Sequence, residues 1–137
     1  MREIKFRAWD KERELVSGVE CLQFTRDGSD MYKPILSAIK TFHDAAFYPE
    51  KYVLMQYTGL KDKNGKEIYE GDIVKWVLLE RFDEDITEMI SEVKFSEKWS
   101  GFTPMAMDTD VEDGYYNYRV TEVEVIGNIY ENSDLLK

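Results

Sequence analysis

The chain has very few of the residues that most often carry out catalysis or bind metal. Its 137 residues include one cysteine, Cys21, and one histidine, His43. A lone thiol excludes a disulfide within the chain and favours a reducing compartment. One imidazole and one thiol are too few for a typical structural zinc site. A Cys21–His43 nucleophile pair is formally open, but a position in the core or at the surface is the simpler interpretation of both residues.

Long apolar runs and an excess of basic residues are also missing. No apolar run approaches the ~20 residues of a membrane span, and no basic-then-apolar leader opens the chain, which predicts a cytoplasmic protein without membrane contact. The chain carries 28 acidic and 18 basic residues, a formal net charge of -10. Phosphate backbones repel such a chain, so we predict no direct nucleic-acid binding. The most basic segment, residues 61–66, is interpreted as a solvated hairpin tip.

The chain does have enough apolar residues for a real core. Hydrophobic residues make up 43% and aromatic residues 14% of the sequence, which excludes intrinsic disorder. The length suits one domain over residues 1–137. Turn signals crowd the centre of the chain, at Thr58-Gly59, at Asn64-Gly65 and at Glu70-Gly71-Asp72. Asn64-Gly65 is predicted to be a two-residue hairpin turn at positive φ.

Alternation with a period of two predicts several short strands. They include residues 73–82 and 86–95, for which a partly helical structure is the alternative. Ile35, Ile39 and Phe42 follow at spacings of four and three, which predicts one short helix over residues 34–46. Asn132 is predicted to cap a C-terminal helical turn. The predicted fold is α+β and mainly β: a small barrel-like antiparallel sheet with one short helix and a C-terminal helical turn.

Three segments together resemble the YopX family of small phage and prophage proteins. They are residues 2–10 (REIKFRAWD), the turn-rich residues 54–74, and residues 125–132 (VIGNIYEN) with the trailing Leu135-Leu136. The resemblance spans essentially the whole chain. It implies a cytosolic protein encoded by phage or prophage DNA, with a β-barrel-like α+β fold. It implies no reaction and no functional residues.

Two acidic clusters are candidates for metal or catalytic sites. Asp108, Asp110 and Glu112 have the spacing of the first three ligands of a calcium-binding loop. However, Asp113 occupies the sixth position, where the bend needs glycine, and Arg119 occupies the twelfth, where a bidentate glutamate is needed. The consecutive carboxylates at residues 83–85 are interpreted as a solvated turn. We therefore predict no catalytic, cofactor-binding or metal-binding residue.

Exposed aromatic residues offer a candidate interaction surface. Trp9 lies on the strand face opposite Ile4 and Phe6. Either both faces of this strand are covered, or the Trp9 side chain is exposed. An exposed tryptophan together with nearby tyrosines would suit protein binding, whereas packing on a second face is the alternative. The candidate residues are Trp9, Tyr115, Tyr116 and Tyr118.

The sequence predicts a non-enzymatic binding or interaction module with an unidentified protein partner and no cofactor. It leaves a homo-oligomer open, because sheet edges must be paired or protected. The alternative is an acidic protein that occupies the DNA site of a host nucleic-acid-binding protein. A third hypothesis, an enzyme that uses scattered carboxylates with a divalent ion, has the least support.

Overall fold

A computed structural model describes residues 2–26, 34–41, 49–80, 86–105, 109–110 and 117–137. Antiparallel strands make up most of them. Within these ranges the structure has no closed barrel, and its only helices with assigned bounds are short 3₁₀ turns at Pro49–Lys51 and Ser133–Leu136. The mainly β prediction is therefore confirmed, whereas the barrel and the short helix predicted over residues 34–46 are wrong.

The chain divides into two compact units. The N-terminal unit comprises Glu3–Gln56, and the C-terminal unit comprises Tyr57–Lys137 with the first residues of the chain. Each unit has a hydrophobic cluster of its own. The sequence prediction of one domain over residues 1–137 stays a prediction, because compactness does not report whether the units unfold together.

The N-terminal unit is an antiparallel sheet in the order β3-β2-β1-β4. Ala8, Ile39 and Tyr52 form its buried cluster, since alternate residues of each strand face the core. Its strands are β1 (Phe6–Asp10), β2 (Leu15–Arg26), β3 (Pro34–Thr41) and the first half of β4 (Tyr52–Lys61).

Strand β3 replaces most of the predicted helix. It pairs with β2 from Val19 opposite Thr41 to Arg26 opposite Pro34. Pro34 opens the strand, a position where proline is tolerated because it need not donate to the ladder. The misleading signal was a spacing of four, which fits the alternation of a strand as well as the turn of a helix. The remainder of that prediction, residues 42–46, lies outside the described residues.

The C-terminal unit contains a four-stranded sheet in the order β10-β11-β6-β7 and two smaller pairings. Strands β6 and β7 pair with each other, which confirms the predicted pair of strands. Residues 81–85 between them lie outside the described residues. Strand β5 pairs with the second half of β4, and β8 pairs with β9. The bounds are β5 (Glu67–Tyr69), β6 (Asp72–Glu80), β7 (Ile86–Glu92), β8 (Lys94–Ser96), β9 (Gly101–Thr103), β10 (Thr109–Asp110) and β11 (Asn117–Asn128).

The hairpin between β4 and β5 differs in one respect from its prediction. Gly65 has φ +83°, whereas Asn64 does not share the positive φ. Gly65 N–H donates to the Asp62 carbonyl, and Asp62 N–H donates to the Lys66 carbonyl. This is the three-residue loop in which a type I turn is followed by glycine in the left-handed region. A two-residue turn would need both central residues at positive φ.

The C-terminal turn is held by asparagine side chains. The Asn128 Oδ1 accepts the N–H groups of Tyr130 and Glu131. Asn132 Oδ1 accepts Asn128 N–H at 3.2 Å and makes no side-chain cap on the 3₁₀ helix that follows. A Cβ on Gly127 would lie 2.6 Å from Asn132 Oδ1. The predicted helical turn is confirmed, but its predicted cap is wrong, because the Asn132 side chain turns back to bond the end of β11.

Candidate functional site

The aromatic surface predicted from the sequence is described only in part. Trp9 lies in β1 of the N-terminal unit, opposite Val16 on one side and Val53 on the other, and its side chain is half-buried and engaged in contacts. Tyr118 lies in β11 of the C-terminal unit, where its backbone pairs with Glu80. Tyr115 and Tyr116 lie outside the described residues. The proposed surface stays a prediction.

The edge of the C-terminal sheet offers a more complete candidate. Strand β7 ends that sheet, and among the described residues no strand pairs with its outer side. It pairs with β6 without a bulge, from Ile73 opposite Glu92 to Leu79 opposite Ile86. The outer N–H and C=O groups of such a strand form a template for another strand.

Apolar side chains on β7 are exposed to an unusual degree. Ile86 is 66% exposed, Ile90 48% and Met89 41%. Natural proteins usually protect a free edge with charged side chains, above all lysine, or with proline or a bulge. The charged residues of β7 are Glu88 and Glu92. The sequence of β7, Ile-Thr-Glu-Met-Ile-Ser-Glu, contains neither lysine nor proline. We define these seven residues as the β7 edge.

The β7 edge is rigidly supported by the core behind it. Trp76 on β6 is buried with Val74 in the main cluster of the unit, and its indole Nε1 donates to Ser91 Oγ at 2.9 Å. On the opposite face, Lys75 Nζ lies 2.9 Å from the Glu88 carboxylate. The edge is therefore held in an extended conformation before any partner binds.

A groove of about 450 Å³ adjoins the edge. The exposed leucines of the C-terminal 3₁₀ helix, Leu135 and Leu136, are 40% and 42% exposed, and this helix contacts β7. The groove lies beside the strand and is lined by apolar and polar residues. The groove is lined by residues that include Trp76, Ile90, Ser91, Pro104 and Leu136.

A second cavity, of about 380 Å³, lies beside the β4–β5 hairpin. Its lining includes Ile68, Val123 and Lys63. Lys63 Nζ lies 2.7 Å from Glu124, and the hydrogen bond to Glu124 raises the pKa of Lys63. The lysine therefore stays charged and neutralises a neighbouring carboxylate.

The carboxylate of Asp62 is part of this wall and is almost fully buried. Its Oδ1 accepts the N–H groups of Asn64 and Lys66, at 2.8 and 2.9 Å, and its Oδ2 accepts Val125 N–H at 3.0 Å. Burial pushes the pKa of Asp62 up, but these three N–H groups and the Lys66 ammonium outweigh burial and hold the pKa below its ordinary value. Asp62 joins the hairpin to β11 as an ionised acceptor.

Asp10 and Asp72 anchor turns in the same way. Asp10 Oδ1 accepts the N–H groups of Glu12 and Arg13 at 2.9 Å each. Burial raises the pKa of Asp10, but these bonds and the Arg13 guanidinium prevail and lower it. Asp72 Oδ2 accepts Tyr69 N–H at 2.8 Å. General acid–base catalysis needs a pKa near the working pH, so the lowered pKa values of Asp10 and Asp62 fit an architectural role.

The other chemical candidates are mostly outside the described ranges. Within the residues that the structure describes, no three His, Cys, Asp or Glu side chains cluster as a metal site would require. Cys21 is exposed on β2, and Asp110 lies in β10. No helix of the described chain is long and apolar enough to span a membrane. His43, Asp108 and Glu112 lie outside the described residues, as does the acidic segment 83–85.

Comparison with known proteins identifies the family. Residues 5–137 match the family model described as YopX protein. The chain belongs to the YopX family. Among solved structures, the crystal structure of protein EF1440 from Enterococcus faecalis is similar over 100% of both chains, with 25% sequence identity and a TM-score of 0.50. No curated protein matches the chain.

The residues that carry the YopX resemblance are mainly architectural. Besides Asp62 and Gly127, Gly71 sits where strands meet, at φ +78°. Its N–H donates to the Val93 carbonyl at 2.8 Å, and its carbonyl accepts Ile129 N–H at 2.9 Å. This position favours glycine because few residues with a side chain adopt that φ. The family motif thus explains the fold, and the β7 edge lies outside it.

Sequence reasoning did not single out the β7 edge as a site. The alternation at residues 86–92 predicts a strand, but the position of that strand at the end of a sheet is set by tertiary pairing. One signal was available: Ile86 and Ile90 share a face with Glu88 and Glu92. A face that mixes isoleucine with glutamate is not a core face, and charged residues on such a face are typical of a strand at the edge of a sheet.

Proposed function

We propose that this YopX-family chain is a non-enzymatic protein-interaction module of phage or prophage origin that works in the bacterial cytoplasm. It binds an extended protein segment along the β7 edge by strand addition. In that mode the main-chain hydrogen bonds supply affinity, and pockets for alternate side chains supply specificity. The exposed thiol of Cys21 suits the reducing compartment assumed here.

The observation that carries the proposal is the regular β7 edge, with whose outer side no described strand pairs. Ile86, Met89 and Ile90 expose large apolar side chains along this edge. Exposing them costs free energy in the isolated chain, roughly 25 cal/mol for each Å² of apolar surface. Binding a strand recovers that free energy, and the adjoining groove near Trp76 and Leu136 gives one side chain of the partner a place to pack.

The buried carboxylates support the non-enzymatic part of the proposal. Asp10, Asp62 and Asp72 each accept hydrogen bonds from backbone N–H groups. Buried polar groups must be bonded to offset the loss of water. These three carboxylates are therefore fully accounted for by holding turns and strands together.

Capture from host lysate tests the proposal with a matched pair of variants. Ile90→Lys places a charge in the middle of the edge, and Leu60→Lys makes the same change at a site of nearly equal exposure on β4, 48% against 49%. We expect Ile90→Lys to lose the captured protein and Leu60→Lys to keep it. Capture of the same host protein in equal amounts by wild type and both variants would contradict the proposal, as would turnover of a substrate by the purified chain.

The net charge of -10 supports a second candidate function. An acidic chain can occupy the DNA site of a host nucleic-acid-binding protein by presenting carboxylates where phosphates would lie. Binding of that kind is electrostatic and weakens steeply as salt rises. Elution of a basic partner by about 0.5 M salt, unaffected by Ile90→Lys, would favour this function over strand addition.

A further inference from the structure

We propose that the strand bound along the β7 edge is β7 of a second copy of this chain. The two sheets then continue into one across a two-fold axis, with their β7 strands antiparallel. This inference rests on the proposed function, because it names the partner of the same surface. Three observations favour a second copy: the choice of register, the local charge and the apolar side chains on the edge.

Symmetry leaves few registers for two identical antiparallel strands. Residues directly opposite each other must point to the same face of the sheet. For a strand of seven residues, the registers with the longest overlap are centred on Glu88, on Met89 or on Ile90. Centring on Met89 pairs all seven residues, and either alternative pairs only five, residues 86–90 or 88–92.

Like charges oppose the two shorter registers. Centring on Glu88 places this carboxylate directly opposite its own copy. Centring on Ile90 places Glu88 opposite Glu92 of the second copy, and does so twice because of the symmetry. Like charges directly opposite each other in a sheet are destabilising, so neither register is favoured.

The register centred on Met89 has no like charges directly opposite. The two Met89 side chains meet on one face, the face that β7 shares with Trp76 of β6. On the other face the Ile90 side chains of the two copies become diagonal neighbours, within the reach of large apolar groups. Glu88 is diagonal to Glu88 and to Glu92 of the second copy, a longer separation than the directly opposed like charges of the other two registers. The opposed pairs are Met89 with Met89, Thr87 with Ser91, Glu88 with Ile90, and Ile86 with Glu92.

The local charge permits two acidic chains to meet here. Glu88 is paired with Lys75 at 2.9 Å, and Glu92 lies 3.5 Å from Lys94. Each carboxylate of the edge therefore has a cation of its own chain beside it. Counted with these two lysines, the β7 edge itself is close to neutral, whereas the whole chain carries -10 and the sequence Asp83-Glu84-Asp85 precedes the edge. The edge itself therefore suits a second copy better than a strongly basic partner.

Sedimentation equilibrium of the full chain tests the inference. At about 100 μM chain, where a dimer with micromolar Kd is well populated, we expect twice the mass of 16.2 kDa. Met89→Lys places two ammonium groups directly opposite and should weaken dimerisation by about tenfold or more, whereas Leu60→Lys should leave it unchanged. A monomeric wild type, or a Met89→Lys variant that dimerises normally, would overturn the inference.

Cross-linking tests the register itself. In a Cys21→Ser background, Met89→Cys brings two thiols opposite each other, and added diamide should oxidise them to one intermolecular disulfide. Thr87→Cys, on the same strand and face, should not cross-link because residue 87 lies opposite residue 91. Equal cross-linking by both variants, or by neither, would overturn the proposed register. Circular dichroism of each variant checks that it folds.

Salt dependence separates this inference from the function on which it rests. Raising salt from about 50 to 500 mM screens the repulsion between two acidic chains, so we expect dimerisation to strengthen, and weakening would contradict a dimer of this kind. A monomeric wild type whose lysate partner is still lost with Ile90→Lys would refute the second copy and retain strand addition. A monomer that also captures no protein would refute both.

Discussion

At the scale of single residues, buried carboxylates stabilise turns by accepting hydrogen bonds from backbone N–H groups. Asp62 receives three backbone N–H groups from two parts of the chain that are far apart in sequence, the hairpin loop and β11. An ionised acceptor makes such bonds stronger than a neutral one does. The negative charge of Asp62 therefore contributes to the stability of the C-terminal unit.

Replacing Asp62 by Asn should destabilise the fold at neutral pH. The amide keeps one oxygen acceptor, but its NH₂ group would face an N–H donor, which leaves a buried N–H unbonded. We expect a loss of about 1–3 kcal/mol in the free energy of unfolding at pH 7, measured by urea denaturation. Asp134→Asn, at an exposed site, is the control and should cost well under about 1 kcal/mol.

The pH dependence of the Asp62→Asn effect follows from the lowered pKa. Because the folded pKa of Asp62 lies below its unfolded value, the stabilisation is fully present above the unfolded value, about 3.9. It is lost as pH falls through the folded pKa. The stability gap between wild type and Asp62→Asn should therefore be constant above about pH 5 and shrink below about pH 4. A gap that is independent of pH would contradict this assignment.

At the scale of elements, the β4–β5 hairpin depends on one glycine. Gly65 has φ +83°, and an added Cβ would meet nothing within 4 Å. The cost of a side chain there is therefore backbone strain and not a clash with neighbours. We expect Gly65→Val to lower the free energy of unfolding by roughly 1 kcal/mol or more, as measured by denaturant titration.

Gly65→Asn is the matched control for this prediction. Asparagine tolerates the left-handed region better than a β-branched residue does. It should therefore cost clearly less than valine at the same open site. Equal stability of wild type and Gly65→Val would contradict the assigned turn.

At the scale of the whole molecule, the charge balance predicts that the chain does not bind DNA. The net charge is -10, and Lys63 of the basic hairpin tip is already paired with Glu124. The chain therefore offers few lysine and arginine side chains to neutralise DNA phosphates, and little counterion release would favour binding. We expect no gel shift with duplex DNA at about 150 mM salt.

A charge-reversal variant of the hairpin tip tests the prediction that the chain does not bind DNA. If the chain bound DNA with micromolar affinity, and if changing Lys61, Lys63 and Lys66 to Glu abolished the binding, the hairpin tip would be a functional patch. Binding that survived this change would also contradict the argument from net charge, and it would place the contact elsewhere on the chain.

Local residue patterns predicted the strands better than they predicted the helix. Alternation at β1, β6 and β11 reflects a sheet face that must be buried, and Gly65 and Gly71 mark backbone conformations that few residues adopt. The pattern at β3 was ambiguous because Ile35 and Ile39 are four apart. Pairing with β2 decides that segment, and the residue pattern within residues 34–41 does not report that pairing.

For the candidate site, too, local patterns predicted one part and pairing between strands decided the other. The sequence supplied the composition of β7 and the charge of its side chains, and it predicted an interaction module without a catalytic centre. It placed the contact surface on aromatic residues instead, because exposure was inferred there from alternation alone. The structure places Trp9 on a central strand, where it is half-buried.

The sequence by itself determined the family, the mainly β class and the turns, because glycine positions, alternation and net charge are local or additive properties. Tertiary structure decided which strands are neighbours, which strand ends a sheet and which carboxylates are buried. The Asp62 bond to Val125 joins residues 63 positions apart, and the exposure of β7 depends on the order β10-β11-β6-β7. Pairing between distant segments has no local signature, so the surface on which the proposed function rests could be found only in the folded chain.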